Sequence, residues 1–572
     1  MPPTLADYLF IRLHQLGVHS IHGVPGDYNL TLLDYIKPNN LRWVGNTNEL
    51  NAAYAADGYA RIKGLGALIT TFGVGELSAI NAIAGAYTER AAVVHIVGTP
   101  ARNVQEGRRL VHHTLNDGEY RRFARMYAEV TAARVNLWDG RVAARQIDEV
   151  LRVCLVESRP VYIEVPVDMV DVDVDGNGLD VSITLPEDLP SSAGDALLAR
   201  IFERVYSAKQ PVILVDGESR AMGMVDDIQD LVKATKWPTW TTGYAKGLLD
   251  ETLPNLHGIY RGNYDSPAVQ EFIHQADLIL SFGPHHSSSN TFGYSNIPSP
   301  DFTTEFTDKR IKLGSELVRD ISAKYILSRI VQDIDVSRIA TYQPYPGLPR
   351  DYLLSFSTVS SDEAISQDRV WCLLANFLRP GDIILGETGT AGHGVREMAL
   401  PKHARVFTPV TWLSIGYMLP AAQGAALAQE EMITPSSYNG IKDARTILFI
   451  GDGSFQMTAQ ELATIIRHYL NIVVFLINND GYTIERCIHG RNQVYNDISR
   501  WRYLEAPRLF GAGEDTFTAS VRTWGELQDV LGEEKLQNGE GLRMVEVVMD
   551  KEDAPQGPLA TYLQHQKSKE GN

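Results

Sequence analysis

The last third of the chain alternates continuous apolar runs with a segment of helical periodicity. Residues 446–450 and 472–477 are apolar throughout, a pattern typical of strands buried on both faces of a parallel sheet. Between these runs, apolar residues recur at helical spacing at Ala459, Leu462, Ile465 and Ile466. The pattern predicts a strand–helix–strand unit, in which both strands run in the same direction.

The first third of the chain repeats this order. The pattern predicts a strand over residues 67–72, a turn at 73–75, a helix over 77–87 and a second strand over 92–97. Two further apolar runs, 212–215 and 278–282, predict strands in the middle third. We interpret the shared order of the outer thirds as a weak internal duplication.

Two polar segments without lasting periodicity, residues 175–195 and 342–368, read as linkers. They divide the chain into three consecutive α/β domains with parallel sheets, which we place at residues 1–180, 190–343 and 360–555, the first and last being related. No Gly-x-Gly-x-x-Gly motif follows a strand in the middle third. We therefore expect no cofactor in the middle domain.

Composition narrows the class of protein. The net charge of −18 argues against nucleic acid or an anionic membrane as the main partner, and no apolar run approaches the length of a membrane span. The first residues lack a basic segment followed by a hydrophobic one, and three scattered cysteines cannot form a disulfide framework. We expect a soluble, cytoplasmic protein.

Polar residues stand at the ends of both predicted strands in the last third. Gly451-Asp452-Gly453-Ser454 follows the first strand, and Asn478-Asn479-Asp480-Gly481 follows the second. Open α/β sheets bind ligands at this edge, where glycines admit a diphosphate and helix-starting amides donate to it. Asp452 and Asn479 offer the oxygen ligands that Mg²⁺ prefers. Taken alone, Gly-Asp-Gly is equally a common turn; the two motifs together indicate a metal-bridged diphosphate site.

These two motifs closely resemble those of thiamine diphosphate enzymes, and residues 478–485, Asn-Asn-Asp-Gly-Tyr-Thr-Ile-Glu, resemble the pyruvate decarboxylase branch. The resemblance extends over nearly the whole chain. It implies a pyrimidine-binding first domain, a middle domain and a diphosphate-binding last domain. It also implies thiamine diphosphate and Mg²⁺ as cofactors, with Asp452, Asn479 and Gly481 holding the metal. The cofactor-binding residues implied are Glu49, Thr388, Thr390, Leu413, Ser414, Ile415, Asp452, Gly453, Ser454, Asn479, Gly481, Tyr482, Thr483 and Ile484.

Glu49 precedes a small apolar helix face formed by Ala52, Ala53 and Ala56. On the residues alone, it is equally well explained as a carboxylate at the positive end of a helix. The resemblance implies a catalytic role. The matching glutamate hydrogen-bonds N1′ of the aminopyrimidine and promotes the tautomer that deprotonates the thiazolium, which requires a carboxyl in a low dielectric.

Asp27, the pair His112-His113, and Glu485 are the other catalytic residues that the resemblance implies. By itself Asp27 is a turn residue after Pro-Gly, and adjacent histidines usually point in different directions. In the decarboxylase branch the same set, with Ile484 beside Glu485, transfers protons near neutral pH.

The sequence departs from the branch pattern near the expected substrate. Leu413 replaces the usual glycine before Ser414-Ile415-Gly416, and Ala391-Gly392-His393 replaces a small-small-Phe segment. Ile415 matches the residue that holds the cofactor bent. We expect Gly392 to open space and His393 to add polarity. The expected pocket residues are Phe292, Gly392, His393, Trp412 and Ile484.

The resemblance implies non-oxidative decarboxylation of a 2-oxo acid to an aldehyde and CO₂ through a thiamine diphosphate enamine. Pyruvate is the default substrate and larger 2-oxo acids are possible. Two alternatives stay open: an acyloin-forming carboligase that uses the same intermediate, and a non-catalytic regulatory family member. The resemblance also implies a site between two subunits, hence a homodimer at minimum, and it points to a homotetramer.

Overall fold

The computed structural model describes residues 2–186, 190–435 and 438–570. It contains three α/β units in chain order. Residues 187–189, within the predicted linker 175–195, lie outside the described residues. The domain limits derived from the two linkers stay predictions.

The first unit is a six-stranded parallel sheet with helices on both faces, in the strand order β2-β1-β3-β4-β6-β5. Its strands are β1 Ser20–Gly23, β2 Arg42–Trp43, β3 Gly66–Thr71, β4 Val93–Thr99, β5 Ala133–Asn136 and β6 Val161–Pro166. Its helices are α1 Leu5–Gln15, α2 Leu30–Leu33, α3 Glu49–Lys63, α4 Val74–Thr88, α5 Arg102–Glu106, α6 Arg122–Tyr127 and α7 Gly140–Glu157.

The middle unit is a seven-stranded sheet in the order β13-β12-β11-β10-β7-β8-β9. Its strands are β7 Pro211–Val215, β8 Thr239–Thr241, β9 Leu256–Ile259, β10 Leu278–Phe282, β11 Thr303–Thr307, β12 Arg310–Leu313 and β13 Glu316–Arg319. Its helices are α8 Ser192–Ser207, α9 Glu218–Ala221, α10 Val225–Thr235, α11 Pro267–His274 and α12 Ala323–Asp333.

The predicted fold of three α/β domains with parallel sheets is confirmed, with one addition: the middle sheet also carries an antiparallel edge. Strands β11 to β13 form an antiparallel edge. Only Asp308 and Lys309 separate β11 from β12. A connection this short can join antiparallel strands alone, because parallel strands need a long crossover.

The last unit is a six-stranded parallel sheet in the order β15-β14-β16-β17-β19-β18. Its strands are β14 Ile383–Gly386, β15 Arg405–Phe407, β16 Thr446–Gly451, β17 Ile472–Asn478, β18 Thr518–Val521 and β19 Leu542–Val548. Its helices are α13 Gln367–Leu374, α14 Thr390–Gly394, α15 Met418–Ile433, α16 Asp452–Thr458, α17 Leu462–Arg467, α18 Thr483–Ile488, α19 Ala506–Leu509, α20 Trp524–Gly532, α21 Glu534–Asn538 and α22 Pro558–Glu570.

The outer units have the same topology. When the strands of each unit are numbered from its own first strand, both sheets have the order 2-1-3-4-6-5. The relation predicted between the first and last domains is therefore confirmed. Gly73-Val74-Gly75 after β3 and Gly451-Asp452-Gly453 after β16 occupy equivalent turns between a strand and a helix.

Helices α3 and α15 join the outer units through a close crossing. A Cβ atom at Gly58 would lie 2.2 Å from the Ala421 carbonyl oxygen, and one at Gly424 would lie 1.8 Å from the Ala55 carbonyl oxygen. Only glycine permits this approach of two backbones. As a result, one continuous apolar core contains side chains of both units, including Ala52, Ala56, Leu427 and Leu448.

None of the helices in the described part of the chain is long and apolar enough to cross a membrane.

Candidate functional site

A cavity of about 830 Å³ opens at the carboxyl ends of β14, β16 and β17. Residues of the middle unit and of the C-terminal helix α22 complete its walls. Most residues predicted to bind the cofactor line this cavity: Thr388, Thr390, Leu413, Ile415, Asp452, Gly453, Ser454, Asn479, Gly481, Tyr482, Thr483 and Ile484. Glu485 also lines it.

The three residues predicted to bind a metal converge at one edge of this cavity. The amide group of Asn479 presents one terminal atom to two oxygens, 3.2 Å from Asp452 Oδ1 and 3.0 Å from the Gly481 carbonyl oxygen. If the amide oxygen occupies that position, three oxygens face one another and need a cation between them. If the nitrogen occupies it, the amide donates hydrogen bonds to the Asp452 and Gly481 oxygens. Burial raises the pKa of Asp452 to about 6, although hydrogen bonds from the Gly453 and Gly481 amides partly lower it. The donor set fits Mg²⁺, which completes its shell with water and phosphate oxygens.

The neighbouring wall fits a diphosphate. The Thr388 hydroxyl is buried without a hydrogen-bond partner in the described residues, although it lines the cavity. A buried hydroxyl normally has a partner, so this one is available to a ligand. Gly453 lies against Tyr482, whose ring would be 2.5 Å from a Cβ atom at that position. Position 453 therefore has no side chain, and its backbone is accessible from the cavity.

The loop between β15 and α15, residues 408–417, carries Ile415 into the cavity wall. Its neighbour Leu413 has a φ angle of 53°, in the left-handed region. This conformation explains why glycine is expected here and implies backbone strain for leucine. Leu413 is 39% exposed and lines the cavity, so its side chain finds room there.

Ser414 and Trp412 of this loop face the first unit, not the cavity. Tyr54 donates a 2.8 Å hydrogen bond to the Ser414 hydroxyl, and the Trp412 indole donates a 3.0 Å bond to the Asn81 side chain. Trp412 also packs against Gly85. Both residues line a small crevice between the units. In the single chain, Trp412 does not line the cavity, because its ring contacts helix α4. The expectation that it crowds the substrate pocket stays a prediction.

Two buried glutamates that the sequence reasoning did not assign a role hold this loop. Glu387 accepts hydrogen bonds from the amides of Thr388 (2.7 Å) and Met418 (2.8 Å). Glu89 accepts from the amides of Val410, Thr411 and Trp412 at 2.9, 3.0 and 3.3 Å. Nothing in their local sequence signals this function, because Met418 and the amides of residues 410–412 lie far away from the two glutamates along the chain.

Phe292, Gly392, His393 and Ile484, four of the five predicted pocket residues, line the cavity. Gly392 does not open space there in the expected way. A Cβ atom at Gly392 would lie 2.7 Å from the Glu387 carbonyl oxygen, so its missing side chain points into the backbone. Arg396 and the helix α22 residues Pro558, Leu559 and Tyr562 also line the cavity, and the sequence reasoning did not include them.

Glu49 begins α3 at the carboxyl edge of the first sheet. Asn48 caps this helix by accepting from the Asn51 amide, and Glu461 of the last unit holds the preceding residues Asn46 and Thr47. Glu49 Oε1 lies 3.0 Å from where a Cβ atom at Gly75 would be, which places the carboxyl beside the turn after β3. Burial raises its pKa, as its predicted function requires.

Asp27, His112 and His113 form one cluster near the same edge. Their ligating atoms all lie within 4.8 Å of one another, and His112 Nε2 is 2.5 Å from Asp27 Oδ2. The His112 ring stacks on Tyr28, with centroids 4.9 Å apart. His113 has a φ angle of 68°, and its carbonyl oxygen packs against Gly73. The turn at Gly73 and Gly75 thus connects this cluster to Glu49.

The structure separates the predicted site residues into two groups. None of Asp27, Glu49, His112 and His113 lines the cavity of their own chain, among its described residues. The residues within each group lie close to one another. Neither group alone includes all the residues that the predicted reaction needs.

Three sequence models of one family match the chain. They are the N-terminal thiamine pyrophosphate (TPP) binding domain of the thiamine pyrophosphate enzymes at residues 3–119, the central domain at 198–322 and the C-terminal TPP binding domain at 387–535.

The chain is also similar to curated pyruvate decarboxylases. The protein from Aspergillus parasiticus is 52% identical over 557 residues, covering 96% of this chain and 95% of that protein. Those from Aspergillus fumigatus and Kluyveromyces lactis are 42% and 39% identical, each covering at least 95% of both chains. A solved structure, the thiamine diphosphate-dependent 4-hydroxybenzoylformate decarboxylase of Rhodococcus jostii, superposes with a TM-score of 0.76 at 18% identity, covering 96% of this chain and 99% of that one, and supports the fold. The chain therefore belongs to the thiamine pyrophosphate enzyme family, in the branch that contains the pyruvate decarboxylases.

Proposed function

We propose that this protein catalyses the Mg²⁺- and thiamine diphosphate-dependent, non-oxidative decarboxylation of a 2-oxo acid to an aldehyde and CO₂, with pyruvate as the default substrate. The observation that carries the proposal is the convergence of Asp452, Asn479 and Gly481 beside the unpartnered hydroxyl of Thr388. In a chain of this family, that set fits a metal-bridged diphosphate. When bound, thiamine diphosphate supplies the carbon nucleophile and the electron sink for the loss of CO₂.

The chain's own residues would bind the metal and the diphosphate, orient the cofactor and transfer protons. Asp452, Asn479 and Gly481 would hold Mg²⁺, and Thr388 would donate to the diphosphate. Ile415, on the loop fixed by Glu387, would support the cofactor from one side. Glu485 lies at the cavity wall, where it can protonate the carbon that CO₂ leaves.

The active unit that we propose is at least a homodimer, and a homotetramer is compatible with it. The separation of the two groups of site residues supports this proposal. In a symmetric dimer, Glu49, Asp27 and His113 of one subunit would face the cavity of the other. We also propose a cytoplasmic location, in keeping with the free, buried thiols of Cys154, Cys372 and Cys487.

Product analysis tests this function. Purified protein with thiamine diphosphate and Mg²⁺ is given pyruvate, a branched 2-oxo acid or phenylpyruvate, with and without added aldehyde. We expect aldehyde and CO₂ in equal amounts, dependent on both cofactors. Acyloin as the main product would instead assign a carboligase, and absence of CO₂ from every substrate despite bound cofactor would contradict the substrate class.

A further inference from the structure

The wall of the cavity that faces the middle unit carries a buried positive charge. Arg396 is only 7% exposed and lines the cavity together with His393. Its Nε and Nη2 donate to the Thr408 hydroxyl at 3.2 and 3.0 Å, and Nη2 also donates to the Pro409 carbonyl oxygen at 3.1 Å. Nη1 makes no hydrogen bond within the described part of the chain. The guanidinium packs against Gly243 of the middle unit, where a Cβ atom would lie 3.1 Å away.

This charge lacks a counter-ion. All three hydrogen bonds of Arg396 go to neutral oxygens, and no carboxylate among the described residues forms an ion pair with it. Burial lowers the pKa of Arg396 to about 10, against the attraction of the more distant Glu89. A buried charge without a partner is costly, and a bound anion is one way in which a protein offsets that cost.

His393 makes the same wall polar without adding charge. Burial, and the nearby Arg396, lower the pKa of His393 to about 3, so its ring is neutral in solution near pH 7. No hydrogen bond within the described part of the chain engages its nitrogens. A neutral imidazole can donate one hydrogen bond to an anion that Arg396 attracts. The acidic residues of the cavity, Asp452 and Glu485, have separate predicted functions in binding metal and transferring protons.

We propose that Arg396 and His393 bind a second carboxylate at the far end of the substrate's side chain, so that the site, with pyruvate as its default substrate, also accepts 2-oxo acids that carry a second carboxylate and favours them over neutral analogues of the same length. This inference rests on the proposed decarboxylation. The carboxylate that becomes CO₂ must lose its charge in the reaction, and a tight ion pair would stabilise the ground state and slow that step. A carboxylate that does not react carries no such penalty, because its charge is unchanged throughout.

Matched substrates test the proposal. Values of kcat/KM are measured for 2-oxoglutarate, for its C5 N,N-dimethylamide and for pyruvate, in the wild type and in Arg396→Gln, Arg396→Lys, His393→Phe and Arg310→Gln. The dimethylamide is neutral at the far end of the chain, and its nitrogen carries no hydrogen, so it cannot close a lactam on the 2-oxo group. Arg310 is an exposed residue of β12, so its substitution removes the same charge far from the cavity. We expect the wild type to favour the diacid over the amide by about 10- to 100-fold. Arg396→Gln should abolish that ratio mainly through KM, Arg396→Lys should restore part of it, His393→Phe should lower it, and Arg310→Gln should leave it unchanged.

The outcomes separate this inference from the proposed function. If pyruvate or the amide yields aldehyde and CO₂ but the wild type does not favour the diacid, the inference is wrong and the decarboxylase stands. This comparison uses the wild type alone, so it holds even if Arg396→Gln does not fold. If folded Arg396→Gln keeps the wild-type ratio of kcat/KM between the diacid and the amide, the inference is also wrong. If no 2-oxo acid yields CO₂, the proposed function fails and the inference fails with it.

Discussion

At the scale of single residues, the chemistry depends on carboxyl groups that the fold withdraws from water. Glu49 sits at the start of α3, where a glutamate is ordinarily exposed, but the turn at Gly75 and the loop held by Glu461 lie beside it and leave it half-buried. The raised pKa of Glu49 follows from this burial. A carboxyl with a raised pKa keeps its proton at a higher pH than a solvated carboxyl does.

We predict that Glu49→Gln lowers kcat by about 100- to 10,000-fold, because an amide cannot exchange the proton required at this position. Circular dichroism and cofactor binding should stay close to those of the wild type. Glu203→Gln, at an exposed position of α8, removes an equal charge and serves as the control. Turnover by Glu49→Gln close to the control value would remove Glu49 from the catalytic residues.

Glu76 makes the stability of the first unit depend on pH. It is fully buried, accepts hydrogen bonds from the Gly73 amide and from Tyr162, and burial raises its pKa to about 8. Between the unfolded value of 4.5 and this folded value, the folded state holds the proton more tightly. Protonated Glu76 therefore contributes to the free energy of unfolding. This contribution is fully present below the unfolded pKa of 4.5 and is lost as the pH rises through the folded pKa of about 8.

Glu76→Gln should remove this dependence, because glutamine stays neutral at every pH. We expect the thermal midpoint of the variant to match that of the wild type near pH 5 and to exceed it near pH 8.5. Thermal unfolding of the cofactor-free protein at the two pH values measures the effect. A difference between the two proteins that is the same at both pH values would show that ionisation of Glu76 does not govern the change.

Leu413 combines an unfavourable backbone angle with a side chain in the cavity wall. Leu413→Gly should relieve the strain and raise the free energy of unfolding by up to about 1 kcal/mol, since a left-handed conformation costs other residues about that much. Leu413→Ala keeps the strain and removes most of the side chain, and it is the matched control. Denaturant unfolding of the two variants should therefore differ; equal stabilities would mean that the φ angle of 53° is not costly.

At the scale of secondary structure elements, continuous apolar runs were the reliable signal. Strand β10 has the predicted bounds, and β16 and β17 each extend one residue beyond the prediction. Buried parallel strands are apolar on both faces, so their limits can be read directly from the sequence. The antiparallel edge β11–β13 was missed, although Gly314-Ser315, the two residues between β12 and β13, was a usable hairpin signal.

Side-chain direction could not be predicted in the same way. Trp412 contacts Asn81, which is distant in the chain. The position of a Cβ atom at Gly392 faces the Glu387 carbonyl oxygen because the local backbone folds back on itself. The helix α22 wall of the cavity is another example, since its docking depends on contacts of Leu559 and Leu563 with Cys487. The convergence of Asp452, Asn479 and Gly481 was predictable because these residues follow adjacent parallel strands, whose carboxyl ends meet.

The crossing of α3 and α15 gives a prediction at this scale. Gly424→Ala should lower the free energy of unfolding by roughly 2–3 kcal/mol, because its Cβ atom would overlap the Ala55 carbonyl oxygen and push α3 away. Activity should fall as well, since α3 carries Glu49. Gly532→Ala, in open space at the end of α20, is the control and should be neutral or stabilising by up to about 1 kcal/mol. Equal stability of the two variants in denaturant would contradict the close crossing.

At the scale of the whole molecule, two units of the same topology have diverged in function. The last unit places Asp452 in the turn after β16, whereas the equivalent turn of the first unit carries Val74, which is 52% exposed. The first unit instead provides Glu49 and the cluster of Asp27, His112 and His113 at its own sheet edge. A complete active site needs both edges, and in our proposal two subunits supply them.

The most direct test of this account is the recovery of decarboxylase activity in a hybrid dimer. Glu49→Gln and Asp452→Asn subunits, each inactive alone, are co-expressed with different affinity tags, and the doubly tagged hybrid is assayed for CO₂ release with thiamine diphosphate and Mg²⁺. One of its two sites would combine an intact Glu49 with an intact Asp452, so we predict about half of the wild-type activity per dimer. A stable hybrid that releases no CO₂, beside an active wild type, would contradict a site built from two subunits.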